Sequence, residues 1–264
     1  MNSIAKMNTV AKRWLATLVV LSLTSISSHA FDKEAVQAIL KSPQRDLVDK
    51  IRDPVQNPIE VLEFLGVEAG MQVLDIYAAG GYYTVILSAA VGEEGSVYAQ
   101  NSPRALDFQE DRTDVTAGEA IASKITAHKL TNVVRMDQPI ADINFLPNSL
   151  DFVLLSKIFH DYYNRNPRRA HQLLLVLKTA LKPGGVIGII DHHGDPGRDN
   201  GRLHRIEKQH VLDAIERAGL VVEAESDLLS NPQDNRRRSI FDPIMNGNTD
   251  RFLLKVVSPP RSTD

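Results

Sequence analysis

The chain has 264 residues, 43% hydrophobic and 24% charged, with 30 Lys+Arg against 33 Asp+Glu and no cysteine. That composition is ordinary for a soluble globular domain with enough chain for one sizeable core, and a single domain is the expectation. The slight acidic excess argues against a nucleic-acid binder, and the absence of thiols excludes disulfides and thiolate chemistry.

The first thirty residues differ from the rest. Lys6, Lys12 and Arg13 make a basic start, residues 14–23 are an apolar run, and Ser28-His29-Ala30 places small residues at the two cleavage-site positions. This is the pattern of a secretory signal peptide cut before Phe31; an uncleaved anchoring helix is the other reading, although the apolar core is short for a membrane span. Residues 31–264 are then a mature chain, exported to the periplasm or secreted, with no membrane attachment after cleavage. Removal takes three of the 30 cations and no acid, leaving 27 against 33 and a formal charge of −6.

Residues 31–65 read as two or three short helices punctuated by Pro43, Pro54 and Pro58, a helical segment (31–70 with its connection) packed ahead of the sheet. Arg45 or Arg52 could reach a ligand from there, or serve local ion pairs. A first strand ends in Asp75, a small-residue turn follows at Ala78, Ala79, Gly80 and Gly81, and an apolar helix follows Thr84. Such a strand, turn and helix let backbone N–H groups approach a ligand closely, with an acid at the strand end to accept hydrogen bonds.

The second strand, 96–100, ends at Asn101. Residues 107–130 read as a polar helix with an amphipathic second half, and 132–137 as a third strand ending in Asp137-Gln138. The fourth strand, 150–156, is almost continuously apolar, as a strand buried on both faces must be. It leads into an aromatic and His-rich loop containing His160, Asp161, Tyr162 and Tyr163, then into an amphipathic helix over 168–181 that stops at Lys182-Pro183-Gly184-Gly185. A fifth strand, 186–190, runs into Asp191-His192-His193. A helix over 206–218, a sixth strand over 220–227, a long segment 228–250 and a seventh strand over 251–257 complete the chain. Arg236, Arg237 and Arg238 in the long segment could hold an anion or simply line a solvated loop.

The strand-one turn resembles the cofactor turn of class I S-adenosylmethionine-dependent methyltransferases, and the order from the fourth strand through Leu-Lys-Pro-Gly-Gly to Asp191 strongly resembles their second half. Arg45-Asp46, Asn57-Pro58, the 80–84 stretch, His160-Asp161, Asp191-His192-His193, His204-Arg205-Ile206 and the 249–252 stretch together resemble a little-characterised family of predicted secreted methyltransferases. The resemblance implies a Rossmann-like α/β fold: a seven-stranded, mostly parallel sheet with helices on both faces. It implies S-adenosylmethionine as cofactor, held by Asp75, Tyr77, Ala79, Gly80, Gly81, Thr84, Asn101 and Asp137. Tyr77 and Ala79 occupy two of the three glycine places, and Asn101 stands where a ribose-binding acid is usual, which weakens or alters the ribose site because the amide lacks charge.

Methyl transfer needs an aligned nucleophile and, where necessary, removal of its proton. His160 or His193 is the expected base, oriented by Asp161 or Asp191, acting on an oxygen or nitrogen of a small molecule. Two alternatives stand beside this. One is an exported binding protein that keeps the fold and has lost the reaction, suggested by the altered turn and by the cytosolic origin of the cofactor. The other is a metal site among the histidines and aspartates, although their spacing matches no strong metal signature and no metal ligand is assigned.

Overall fold

The structure, a computed structural model, describes residues 30–109, 114–245 and 247–259. Apart from Ala30, the expected signal peptide lies outside the described residues. Three short helices open the chain, α1 (Lys33–Lys41), α2 (Leu47–Gln56) and α3 (Pro58–Leu65). Asp32 caps α1 by accepting the Ala35 N–H, and Asn57, in a left-handed conformation with Pro58 behind it, breaks α2 from α3.

Then follow β1 (Gln72–Ile76), α4 (Tyr82–Val91), β2 (Ser96–Asn101), α5 (Pro103–Leu106), α6 (Ala117–Ala127), β3 (Val133–Asp137) and β4 (Leu150–Ser156). The second half comprises α7 (Phe159–Arg165), α8 (Pro167–Ala180), β5 (Leu181–His192), α9 (Asn200–Leu203), α10 (Lys208–Arg217), β6 (Val221–Ser226) and β7 (Arg251–Val257). The strands form one sheet in the order β3-β2-β1-β4-β5-β7-β6. All neighbours are parallel except β7, which runs antiparallel to β5 and β6. This is the expected seven-stranded, mostly parallel architecture.

The alternation of side chains along the central strands divides the core into two layers. Val153 and Leu155 of β4 join Leu74, Ile187 and Leu254 on one face, beneath Leu174 and Leu177 of α8 and Ile215 of α10. Phe152 and Leu154 join Val73, Ile190 and Leu253 on the other, against Val36, Leu62, Leu65 and Ile86 of the N-terminal helices and α4. An unbroken apolar run from Phe152 to Leu155 is therefore required.

Several expected boundaries shift. Among the described residues of the polar helix expected over 107–130, the helical stretch is α6, which starts at Ala117 because Thr116 and Glu119 form a reciprocal capping box there. The His-rich segment expected as a loop is the helix α7. The fifth strand extends back through Pro183 and forward to His192, and α4 starts at Tyr82, behind the left-handed Gly81.

Gly188 of β5 lies under α3: a Cβ there would stand 2.6 Å from Leu65 Cδ1 and 3.1 Å from Phe152 Cζ, both fully buried. Gly188→Ala is expected to destabilise by about 1–3 kcal/mol through overpacking. A double-mutant cycle by urea unfolding with Leu65→Val checks this, the cost of the added methyl falling when the shorter side chain is present.

Candidate functional site

Beyond the carboxyl ends of the parallel strands lies a cleft of about 1270 Å³. It straddles β1 and β4, where the strand order reverses, the place at which open α/β sheets bind ligands. One end is built by the turn after β1. Tyr77 (φ 54°), Ala79 (φ 48°) and Gly81 (φ 85°) are all left-handed. The two non-glycine residues at the first two glycine places thus keep the backbone shape that glycine would give, at a strain of roughly 1–2 kcal/mol each.

What holds that shape is the end of β2. Asn101 Oδ1 accepts the Ala79 N–H at 2.9 Å, and Asn101 Nδ2 donates to the Ala79 carbonyl at 3.2 Å. Gln100 adds its carbonyl to the Ala78 N–H and its Oε1 to the Tyr77 N–H. Asn101 is wholly buried and does not line the cleft, so the expected ribose contact is corrected: its amide is spent on the turn. A carboxylate could accept from Ala79 N–H but could not donate to the carbonyl, which accounts for an amide here.

Asp75, Tyr77, Ala79 and Gly80 face the cleft; Gly81 and Thr84 stand behind it. Thr84 Oγ1 donates to Asp75 Oδ2 at 2.7 Å, and burial raises the Asp75 pKa to about 7 against the lowering effect of that bond. Asp137 is paired with Arg135 of its own strand at 2.6 Å and lies outside the cleft lining. Arg45 is buried in a two-pronged pair with Asp53, which also accepts from Tyr82 Oη, whereas Arg52 lines the cleft. Arg236 is paired with Asp250 and Asp195 and Arg238 with Asp242, so two of the three consecutive arginines serve local pairs.

The other end is organised by Asp191. Fully buried at the end of β5, it accepts from the His160 N–H (2.8 Å), the His192 N–H (2.7 Å) and His160 Nδ1 (2.7 Å). Burial opposes a charge on His160, yet the charge and hydrogen bond of Asp191, with Asp161, raise its pKa above the ordinary value. Its Nε2 stands 3.7 Å from Asp161 Oδ1, and His204 Nδ1 lies 3.5 Å from the same oxygen. His192 lines the cleft with Nδ1 on Thr249 Oγ1 at 2.6 Å; burial holds it neutral, its pKa well below the ordinary value.

His193 is not brought into the site. It packs edge-on against Phe252 outside the cleft lining. Consecutive residues leaving a strand point to opposite faces, so only one ring of the His192-His193 pair can reach the cleft. That alternation was the available signal. Ser156 Oγ and Tyr83 Oη also line the cleft, buried and without a hydrogen-bond partner among the described residues.

The family model described as Protein-L-isoaspartate(D-aspartate) O-methyltransferase (PCMT) matches residues 22–116. The chain is 31% identical over 128 residues to the demethylmenaquinone methyltransferase of Shouchella clausii (strain KSM-K16), covering 48% of each. It is 28% identical over 167 residues to that of Staphylococcus aureus (strain MRSA252), covering 61% of this chain and 62% of the relative. The chain thus spans about half to three fifths of these curated relatives' length. A SAM dependent methyltransferase from Aquifex aeolicus superposes with a TM-score of 0.57 at 23% identity, over 86% of this chain and 98% of that one. Geranyl diphosphate C-methyltransferase from Streptomyces coelicolor A3(2), solved with Mg2+, geranyl diphosphate and S-adenosyl-L-homocysteine, gives 0.57 at 15% identity over 87% and 91%.

Strand order and superpositions together define the class I methyltransferase fold. In sequence, the chain is similar to methyltransferases over residues 22–116 for the family model and over 128 and 167 residues for the two curated relatives.

The Asp75 carboxyl titrates near 3.8 in the unfolded chain and about 7 in the folded one. Between these values the folded state keeps a proton that the unfolded state has lost, so this group's effect is a loss of stability as pH rises, complete above about 7 and absent below about 4. Asp75→Asn is therefore expected to raise the urea midpoint relative to wild type most at about pH 8, the gain shrinking toward about pH 4.

Proposed function

We propose that this protein is an S-adenosylmethionine-dependent methyltransferase acting on an oxygen or nitrogen nucleophile of a small molecule. The observation that carries the reading is that the left-handed turn above Asp75 and the Asp191-braced His160 open into one cleft.

The residues present fit the cofactor. The 77–81 turn exposes backbone to the cleft, Asp75 is a buried acid that an approaching cation would ionise, and Ser156 Oγ and Tyr83 Oη are buried polar atoms with no partner among the described residues. Asp75, Tyr77, Ala79 and Gly80 would hold it, with Gly81 and Thr84 supporting the turn and the acid. When bound, the cofactor supplies an activated methyl group on sulfur.

The chain's own part is alignment and the acceptor's proton. His160, fixed by Asp191 through Nδ1, turns Nε2 to Asp161 and the cleft, where it takes the proton of a hydroxyl or amine. Ile51, Phe108 and Phe241 are exposed along the lining and suit an acceptor with an apolar body. The S. aureus and S. clausii relatives, named for demethylmenaquinone, are consistent with such a body.

Calorimetric titration with S-adenosylmethionine and S-adenosylhomocysteine is the test of the cofactor site: binding that Asp75→Ala abolishes supports it, and absence of binding to folded wild-type protein sinks it. On an acceptor found by screening, His160→Ala is expected to lower turnover by about 10²–10⁴-fold while leaving cofactor affinity in place. The same change at His193 should leave turnover near wild type.

Export and membership of the secreted branch belong to the same proposal. The basic start, the apolar run and Ser28-His29-Ala30 support the first, and the motif set from Arg45-Asp46 to the 249–252 stretch supports the second. Among the described residues no helix is long and apolar enough to cross a membrane. Mass spectrometry of the protein from a periplasmic extract should find Phe31 at the N-terminus; an intact Met1 in the cytosol would overturn export.

A further inference from the structure

We infer that His160, Asp161 and His204 form a binding site for a divalent first-row transition cation at the acceptor end of the cleft. Ligand atoms of the three side chains lie within 4.8 Å of one another. Asp161 Oδ1 is the hub, 3.7 Å from His160 Nε2 and 3.5 Å from His204 Nδ1. Donors around an ion bound at about 2.1 Å stand about 3.0–3.4 Å apart, so both imidazoles are already near ligand spacing from Asp161, and the half-buried Asp161 and His204 must draw in to bring the whole set from within 4.8 Å to that spacing.

Two further features belong to metal sites. His160 offers Nε2 because its Nδ1 is engaged by buried Asp191 at 2.7 Å; a carboxylate behind a ligating imidazole fixes its tautomer and direction. His204 is held in the left-handed conformation (φ 53°) at the end of α9, a backbone cost that places its ring edge-on to His160, with centroids 5.6 Å apart. Two imidazoles and one carboxylate with the remaining positions open is a donor set suited to Zn2+ or Fe2+ rather than to Mg2+ or Ca2+.

All three groups line the cleft, so the open positions face the acceptor. A hydroxyl oxygen bound there would lose its proton more readily, and the burden of activation would pass from the His160 lone pair to the ion. This consequence rests on the methyltransferase reading; the binding of the ion does not.

The probe is Co2+ alone, added to full-length chain carrying no polyhistidine tag and stripped with chelator. One equivalent should bind with visible d–d absorption and be displaced by Zn2+. His204→Asn removes the imidazole yet tolerates the left-handed backbone, and should weaken Co2+ binding at least tenfold; Asp161→Asn should do the same. His193→Ala, outside the cleft, should change nothing. No saturable Co2+ band, or wild-type affinity in both His204→Asn and Asp161→Asn, overturns the site. Thermal melting confirms that each variant is folded. S-adenosylhomocysteine titration of the same samples is read separately: its failure removes the methyltransferase reading and leaves the cation result standing.

Discussion

The cleft depends on a clamp between one side-chain amide and one peptide. Asn101, wholly buried at the end of β2, grips both the N–H and the carbonyl of Ala79. That clamp, with Gln100 on the Ala78 and Tyr77 N–H groups, holds a backbone that is otherwise unfavourable: alanine at φ 48° and tyrosine at φ 54° are both disfavoured relative to glycine. The strain is local, and the two hydrogen bonds, each contributing about 1 kcal/mol net, are of the size needed to offset it. The residue that the methyltransferase resemblance marks as an altered cofactor ligand is instead the brace that lets the turn dispense with two glycines.

The opposite end uses the same device with a charged group. Asp191 draws two backbone N–H groups and one imidazole to a single buried carboxylate, tying the start of α7 to the end of β5. An ionised carboxylate with no exposure would be very costly alone, and three donors make it tolerable. The consequence is directional. His160 cannot turn away, because its main chain and its ring are held by the two oxygens of one group.

The fold was legible because its signals are redundant. β4 is apolar from Phe152 to Leu155 since both faces are covered, α8 has helical spacing, and Lys182-Pro183-Gly184-Gly185 follows it. The site was less legible because it depends on side-chain direction at element ends, where periodicity gives out. His192 and His193 are chemically alike, and only the register of β5 against β7, with His192 opposite Arg251, decides which one enters the cleft. Asp137 was placed correctly at the end of β3, but its position could not show that Arg135, two residues back on the same face, would take it up. Nor could chain order reveal that residues 159–165 coil into a helix that presents His160 and Asp161 side by side to His204, more than forty positions away.

A buried arginine explains how His204 is delivered. Arg205 is fully buried, pairs with Asp234 at 2.8 Å, and donates to the carbonyls of His193 and Arg238. Its own carbonyl accepts from Asn164 of α7, and its N–H donates to the Asn200 carbonyl. One side chain therefore joins the segments after β5 and before β7, while its main chain is joined to α7 and α9. Such a pair is poor evidence of net stability, since two ions must be stripped of water, but removing one partner typically costs about 3–5 kcal/mol. Its worth here is geometric. His204 is the residue immediately before Arg205, so the left-handed backbone that aims its ring at Asp161 is fixed on its C-terminal side by a charge that has nowhere else to go.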